Sequence, residues 1–177
     1  MKNIFIAILL VSASTQLFGQ NQSASFERNN EGFNIHASGD LEVNKTTTEE
    51  VAFVGSQSLL LEVTNIGTGN LQLLCKKFDV NVGDTYEVKF RIKANQERTI
   101  NGKSQFTLVS EGSKTLIETP KLDIGEDWQL VEYTVEVPAE LKGSIPTKLS
   151  VGFIETKITN AKGLKYYIDD FQITVSN

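Results

Sequence analysis

Asp169 is the residue whose position in this chain most demands chemistry. It stands in the run Tyr166-Tyr167-Ile168-Asp169-Asp170-Phe171-Gln172-Ile173-Thr174-Val175. Phe171, Ile173 and Val175 alternate there with polar residues, the signature of a half-buried strand. Extended backwards, the same phase sets Asp169 on the apolar side. A carboxylate in an apolar layer must find a cation or several hydrogen-bond donors. Two accounts are open. In one, Asp169 reaches solvent at the strand end or pairs with a Lys or Arg. In the other it binds Ca²⁺, which takes about six to eight oxygen ligands. Glu27, in Ser25-Phe26-Glu27, supplies a second carboxylate if the first and last strands lie together. The loop over 53–58 then supplies carbonyl oxygens.

A second constellation is basic. Lys89 and Arg91 are two apart in Tyr86-Glu87-Val88-Lys89-Phe90-Arg91-Ile92-Lys93, and so share one face of a strand. Arg binds carboxylate or sulfate in a bidentate way, so the pair suits an acidic or sulfated glycan. The plainer account is a solvated strand face. Gln105 and Thr107 also fall on an outward phase and complete the candidate ligand-binding set of Lys89, Arg91, Gln105 and Thr107.

Catalytic patterns are missing from the sequence. His36 is the single histidine, so a histidine-based triad has one candidate base, on a short strand. Asp169 and Asp170 are adjacent on one strand and cannot flank a glycosidic bond as a hydrolytic pair must. Cys75 is the one cysteine; it shares phase with Leu71 and Leu73 and reads as a small buried hydrophobe. No phosphate-binding loop, dinucleotide glycine pattern or zinc spacing occurs. The expectation is a protein that binds and does not catalyse.

The elements that position these residues are strands. Apolar–polar runs lie over 32–36, 58–63, 71–78, 86–94, 104–110, 128–137, 148–154 and 165–175. Turn residues separate them, among them Asn65-Ile66-Gly67-Thr68-Gly69-Asn70, Asn101-Gly102 and Gly125-Glu126-Asp127. Alternation is clean in 86–93, 131–137 and 149–153. Many short strands that are apolar on one side predict an antiparallel sandwich or barrel.

Lys2 precedes an apolar run from Ile4 to Val11, then small and polar residues through Gly19 and Gln20. This is the order of a secretory signal peptide. The run is too short to span a bilayer, and no later segment reaches spanning length. The expectation is a leader over 1–19 and one domain over 20–177, exported to the periplasm or beyond. The predicted last strand ends within two residues of Asn177, which leaves no room for an appended module. Loss of Lys2 would take the net charge from −5 to −6. An acidic chain without a basic face is a poor match to nucleic acid.

Six further pieces, taken in order, carry a resemblance. They are Phe26-Glu27 with Gly32-Phe33, Val54-Gly55-Ser56-Gln57-Ser58-Leu59-Leu60-Leu61-Glu62-Val63, and Val82-Gly83-Asp84-Thr85-Tyr86 running on to Ala94. Trp128-Gln129-Leu130-Val131, Val135-Glu136-Val137-Pro138 and Tyr166-Tyr167-Ile168-Asp169-Asp170-Phe171 follow. With these the chain resembles the carbohydrate-binding modules of the cellulase-associated type, families four, nine and twenty-two. The resemblance implies an all-β, galactose-binding-like jelly-roll sandwich without catalysis, binding a polysaccharide or surface glycan. It implies a structural Ca²⁺ held by Glu27, Asp169 and the backbone around Gly55 and Ser56. It also places Trp128 at a structural position and leaves Phe33, Phe53 and Tyr166 as aromatics free to be exposed. The competing expectation is a cell-surface adhesion or scaffold domain that binds an envelope protein.

Overall fold

Most strands form where the chain alternates, and their apolar sides meet in one core. The computed structural model describes residues 22–28, 32–74, 78–100, 106–110, 113–117, 121–141 and 143–176. The expected leader over 1–19, Cys75, Gln105 and the Asn101-Gly102 turn lie outside the described residues. In chain order the strands are β1 (Gln22–Ala24), β2 (Asn34–Ala37), β3 (Val43–Thr48), β4 (Ser58–Val63), β5 (Thr68–Leu74), β6 (Phe78–Asp79) and β7 (Thr85–Ala94). There follow β8 (Arg98–Ile100), β9 (Phe106–Ser110), β10 (Ser113–Ile117), β11 (Leu122–Ile124), β12 (Gln129–Glu136), β13 (Pro146–Thr159) and β14 (Lys165–Ser176).

Two antiparallel sheets make the layers. The first runs β12-β7-β14-β4-β3, with β1 on β14; the second runs β10-β9-β13-β5-β2, with β6 on β13. β8 and β11 form a separate two-stranded antiparallel sheet whose Ile100 and Ile124 join the core. Successive strands cross repeatedly from sheet to sheet, as in a jelly roll. The fold is therefore the all-β antiparallel sandwich that the alternation predicts.

Between the sheets lies one core. Val88, Phe90 and Ile92 of β7, Leu59 and Leu61 of β4, Leu71 and Leu73 of β5 and Leu149 and Val151 of β13 are all buried in it. An aromatic column crosses it. The Phe33 ring meets Phe26 edge-on at 5.4 Å and Phe171 at 4.9 Å, and Phe171 stacks on Phe90 at 5.9 Å. Phe33 and Tyr166, expected among the exposed aromatics, are 4% and 0% exposed and belong to this core.

The phase of β14 differs from the sequence expectation. Its pairing with β7 slips between Asp169 and Gln172, and Asp170 has a left-handed φ of 48°. One residue is inserted, so the side chains change face across it. Before the bulge Tyr166 and Ile168 point into the core; after it Phe171 and Ile173 do. Asp169 lies opposite Arg91, on the outer face of the first sheet. It is nonetheless 0% exposed, because the loop over 49–57 covers it.

An ion pair with its carboxylate buried ties β8 to β13. Glu155 of β13, 2% exposed, accepts from Arg98 Nε at 2.9 Å and also from Arg98 Nη2. Burial pushes the Glu155 carboxyl up, and Arg98 opposes that shift.

Phe171 is the first core residue after the bulge. Phe171→Ala is expected to cost about 3–5 kcal/mol of stability, the range for emptying a buried aromatic site. Urea denaturation monitored by the fluorescence of Trp128 checks it; a loss below 1 kcal/mol would mean that the bulge does not anchor the column.

Candidate functional site

The loop over 49–57 joins β3 to β4 and lies across the outer face of the first sheet. Two carboxylates hold it. Asp169 Oδ2 accepts the backbone N–H groups of Phe53 at 2.8 Å and Val54 at 2.9 Å, and Oδ1 accepts that of Asp170 at 2.7 Å. Glu27 Oε1 accepts the N–H groups of Ser56 at 2.9 Å and Gln57 at 3.0 Å, and Oε2 accepts the Ser56 hydroxyl at 2.7 Å. The Ser56 hydroxyl, followed by the N–H groups of Gln57 and Ser56, holds the Glu27 carboxyl below its ordinary range. Gly55 is needed where Glu27 presses on the backbone. Its φ is +72°, and a Cβ there would stand 2.3 Å from Glu27 Oε1.

Glu27, Gly55, Ser56 and Asp169 are thus gathered around one loop, as the resemblance implies. The donor set tests calcium. The loop presents N–H groups to both carboxylates, and calcium requires oxygens at about 2.3–2.6 Å. Asp169 Oδ2 and Glu27 Oε1 each accept two N–H groups already. A cation shared by these carboxylates would face five N–H dipoles and a hydroxyl proton. This arrangement does not fit a bound calcium.

The covered face carries a second cluster. Arg91, Lys93 and Lys89 of β7 project on it, because Phe90 and Ile92 take the core side. Phe53 reaches from the loop over Arg91, whose Cζ lies 4.4 Å from the ring centroid. Phe53 also meets Trp128 edge-on at 5.9 Å, and Lys93 Nζ lies 6.0 Å from the Trp128 centroid. Contacts between a cation and a ring face at such distances are worth about 0.5–1 kcal/mol at exposed sites. Phe53 is 42% exposed, Val54 44% and Leu130 46%; Leu130 is the β12 residue opposite Arg91.

The expected ligand-binding set does not come together. Lys89 pairs with Glu132 at 2.7 Å and Glu87 at 3.2 Å, and its charge is spent on them. Thr107 lies on the second sheet, opposite Ser150 in register, so it is separated from Lys89 and Arg91 by the whole sandwich. Arg91 alone of the described candidates joins the aromatic cluster. Sequence reasoning missed Lys93, Phe53 and Trp128 as its partners. The i, i+2 spacing of Arg91 and Lys93 was a usable signal; the reach of Phe53 across the sheet was not, since the bonds to Asp169 create it. His36 is exposed on the second sheet, opposite Gln72. A recess of about 560 Å³ beside β8 and β11 is lined by Arg98, Thr99 and Asp123. Arg98 is committed to Glu155, and Thr99 donates to Asp123 at 2.5 Å.

Solved structures share this fold. The CBM22-2 xylan-binding domain from Paenibacillus barcinonensis Xyn10C superposes with a TM-score of 0.59 at 18% identity, over 88% of this chain and 99% of that one. The C-terminal family 22 carbohydrate binding module of Clostridium thermocellum Xyn10B gives 0.57 at 17% identity, over 88% and 92%. A CBM4 structure gives 0.59 at 16%, over 88% and 95%. The fold is that of these modules. No family model and no curated protein matches the sequence. At such identities the likeness to the modules rests on the sandwich, and the residues of the site belong to this chain.

Three outcomes are expected from the loop. Asp169→Asn would turn an amide N–H₂ towards N–H groups and cost about 3 kcal/mol, from the loss of buried hydrogen bonds. A chelator would leave the melting temperature of the unaltered chain where it is; a fall that added calcium reverses would show that a metal does complete the loop. For Glu27 the sign follows from its lowered pKa. Its contribution is complete above the unfolded value near 4.5 and is lost as pH falls through the lower folded value. The difference in melting temperature between the unaltered chain and Glu27→Gln is therefore largest at neutral pH and shrinks below pH 4.5. A difference that stays constant from pH 7 to pH 3 would assign the effect to packing.

Proposed function

We infer that this chain is an exported, non-catalytic domain that binds polysaccharide on the outer face of its first sheet. The observation that carries the reading is the Phe53–Trp128 pair, flanked by Arg91 and Lys93, on a sandwich with the fold of carbohydrate-binding modules. Sugar rings expose C–H faces that pack on aromatic rings, and their substituents need polar groups at the rim. Phe53 offers a partly exposed ring with Arg91 against one face, and Lys93 stands over Trp128 beside it. The relatives described as xylan-binding support a polymer as the class of ligand. The signal-peptide pattern at the N-terminus supports export to where such polymers are met.

Affinity electrophoresis in gels containing a panel of neutral and acidic polysaccharides tests the reading. At least one polymer should retard the chain, and Phe53→Ala should weaken that retardation by about tenfold, equivalent to about 1.4 kcal/mol. If no polymer in the panel retards it, the reading fails, and a protein ligand becomes the account to pursue.

A further inference from the structure

We propose that the polymer taken by this face is anionic, with Arg91 and Lys93 binding its carboxylate or sulfate groups while Phe53 and Trp128 pack on its rings. The proposal deepens the polysaccharide reading above and rests on it.

A census of charge on the face singles out these two cations. Lys89 is neutralised by Glu87 and Glu132, and Lys165 by Glu50 at 3.1 Å. Arg91 has the Asp169 carboxylate opposite it in register, but that carboxylate is buried under the loop and holds three N–H groups. Among the described residues, neither Arg91 nor Lys93 has a carboxylate within ion-pairing distance, although Glu50, bonded to Lys165, acts on Lys93 at longer range. The Arg91 Nε is buried without a hydrogen-bond partner. Phe53 thus partly desolvates the guanidinium while its Nε stays unbonded, which is a cost that an added acceptor would relieve.

The chemistry of the platform points the same way. Arg and Lys carry donors and no acceptors. A neutral glycan presents hydroxyls, which recognition usually satisfies with acceptors as well as donors. Carboxylates and sulfates are acceptors alone, and they match the donors that Arg91 and Lys93 present. Residues two apart on a strand are about 7 Å apart, which suits two anionic groups along a chain better than one. The apolar surround of Phe53, Val54 and Leu130 lowers the local dielectric and strengthens such pairs. The net charge of −5 does not oppose this, since at physiological salt charges more than about 8 Å away are screened.

The test uses one polymer backbone in two charge states, together with a sulfated polymer. The full chain is run in native gels containing polygalacturonate, its fully methyl-esterified form, dextran sulfate, or neutral xylan. Expected is retardation by polygalacturonate, dextran sulfate or both, at least tenfold weaker on the esterified polymer, and falling as salt is raised. A preference for the first assigns carboxylate, and a preference for the second assigns sulfate. Arg91→Ala and Lys93→Ala should each cost tenfold or more, with Arg91→Lys recovering part of the loss. Lys93→Gln, a surface change, should act like Lys93→Ala at an unaltered melting temperature. Lys89→Ala should stay within about twofold. Equal binding of polygalacturonate and its ester, or binding of xylan alone, would refute the anionic assignment and leave the polysaccharide reading standing. Retardation by no polymer would refute both. Anion binding that survives the Arg91→Ala/Lys93→Ala double change would move the site off this face.

Discussion

The Asp169 carboxylate is withdrawn from water on the outer side of a sheet, with no cation within ion-pairing distance among the described residues. Burying a charge in that way is tolerable only when several donors converge on it. Three backbone N–H groups do so, and two of them come from Phe53 and Val54 in the loop between β3 and β4. The compensation of the charge and the position of the loop are therefore one arrangement. Remove the charge and the loop loses its fixed point. Move the loop and the charge loses its solvation. Glu27, from just past β1, grips the other end of the same loop through Ser56 and Gln57. The chain's beginning and its last strand are thus tied together through a loop that belongs to neither.

What the loop carries is Phe53. An exposed phenylalanine on an unanchored loop would turn inward or lose order; here its own amide is bonded to Asp169 while its ring covers Arg91 and meets Trp128. The two outer faces of the sandwich differ in consequence. The first holds rings and two cations without ion-pair partners among the described residues. The described part of the second, with His36 opposite Gln72, is polar and lacks a described aromatic platform.

Much of the fold could be read from the chain because alternation is a direct image of a half-buried strand. β4 has the bounds the apolar run predicts, and β7 and β12 agree to within a residue or so at their ends. β3 escaped notice because Val43-Asn44-Lys45-Thr46-Thr47-Thr48 is a polar edge strand with a single apolar residue. β13 runs on past its expected end because a slip between Glu155 and Ile158, with Lys157 at a φ of 60°, breaks the pattern. The convergence of Glu27 and Asp169 on the Gly55-Ser56 loop followed from resemblance. The nature of the contact did not, because a carboxylate that accepts N–H groups and one that binds metal are the same letter in a sequence. Asp169 was assigned to the wrong face for a similar reason: aspartate enters the left-handed region with little penalty, so no glycine marks the bulge.

That inserted residue makes β14 a splice of two strands of opposite parity. Tyr166 and Ile168 keep even time with the core, Phe171 and Ile173 odd time. Losing Asp170 would put the two halves in conflict, and whichever half kept its seat would turn the other inside out. Drift along this strand is thereby constrained: substitutions can accumulate on its outer positions, but single-residue gains or losses between Ile168 and Phe171 are closed to it. The Asp-Asp doublet is, in that sense, a frame marker written in amino acids.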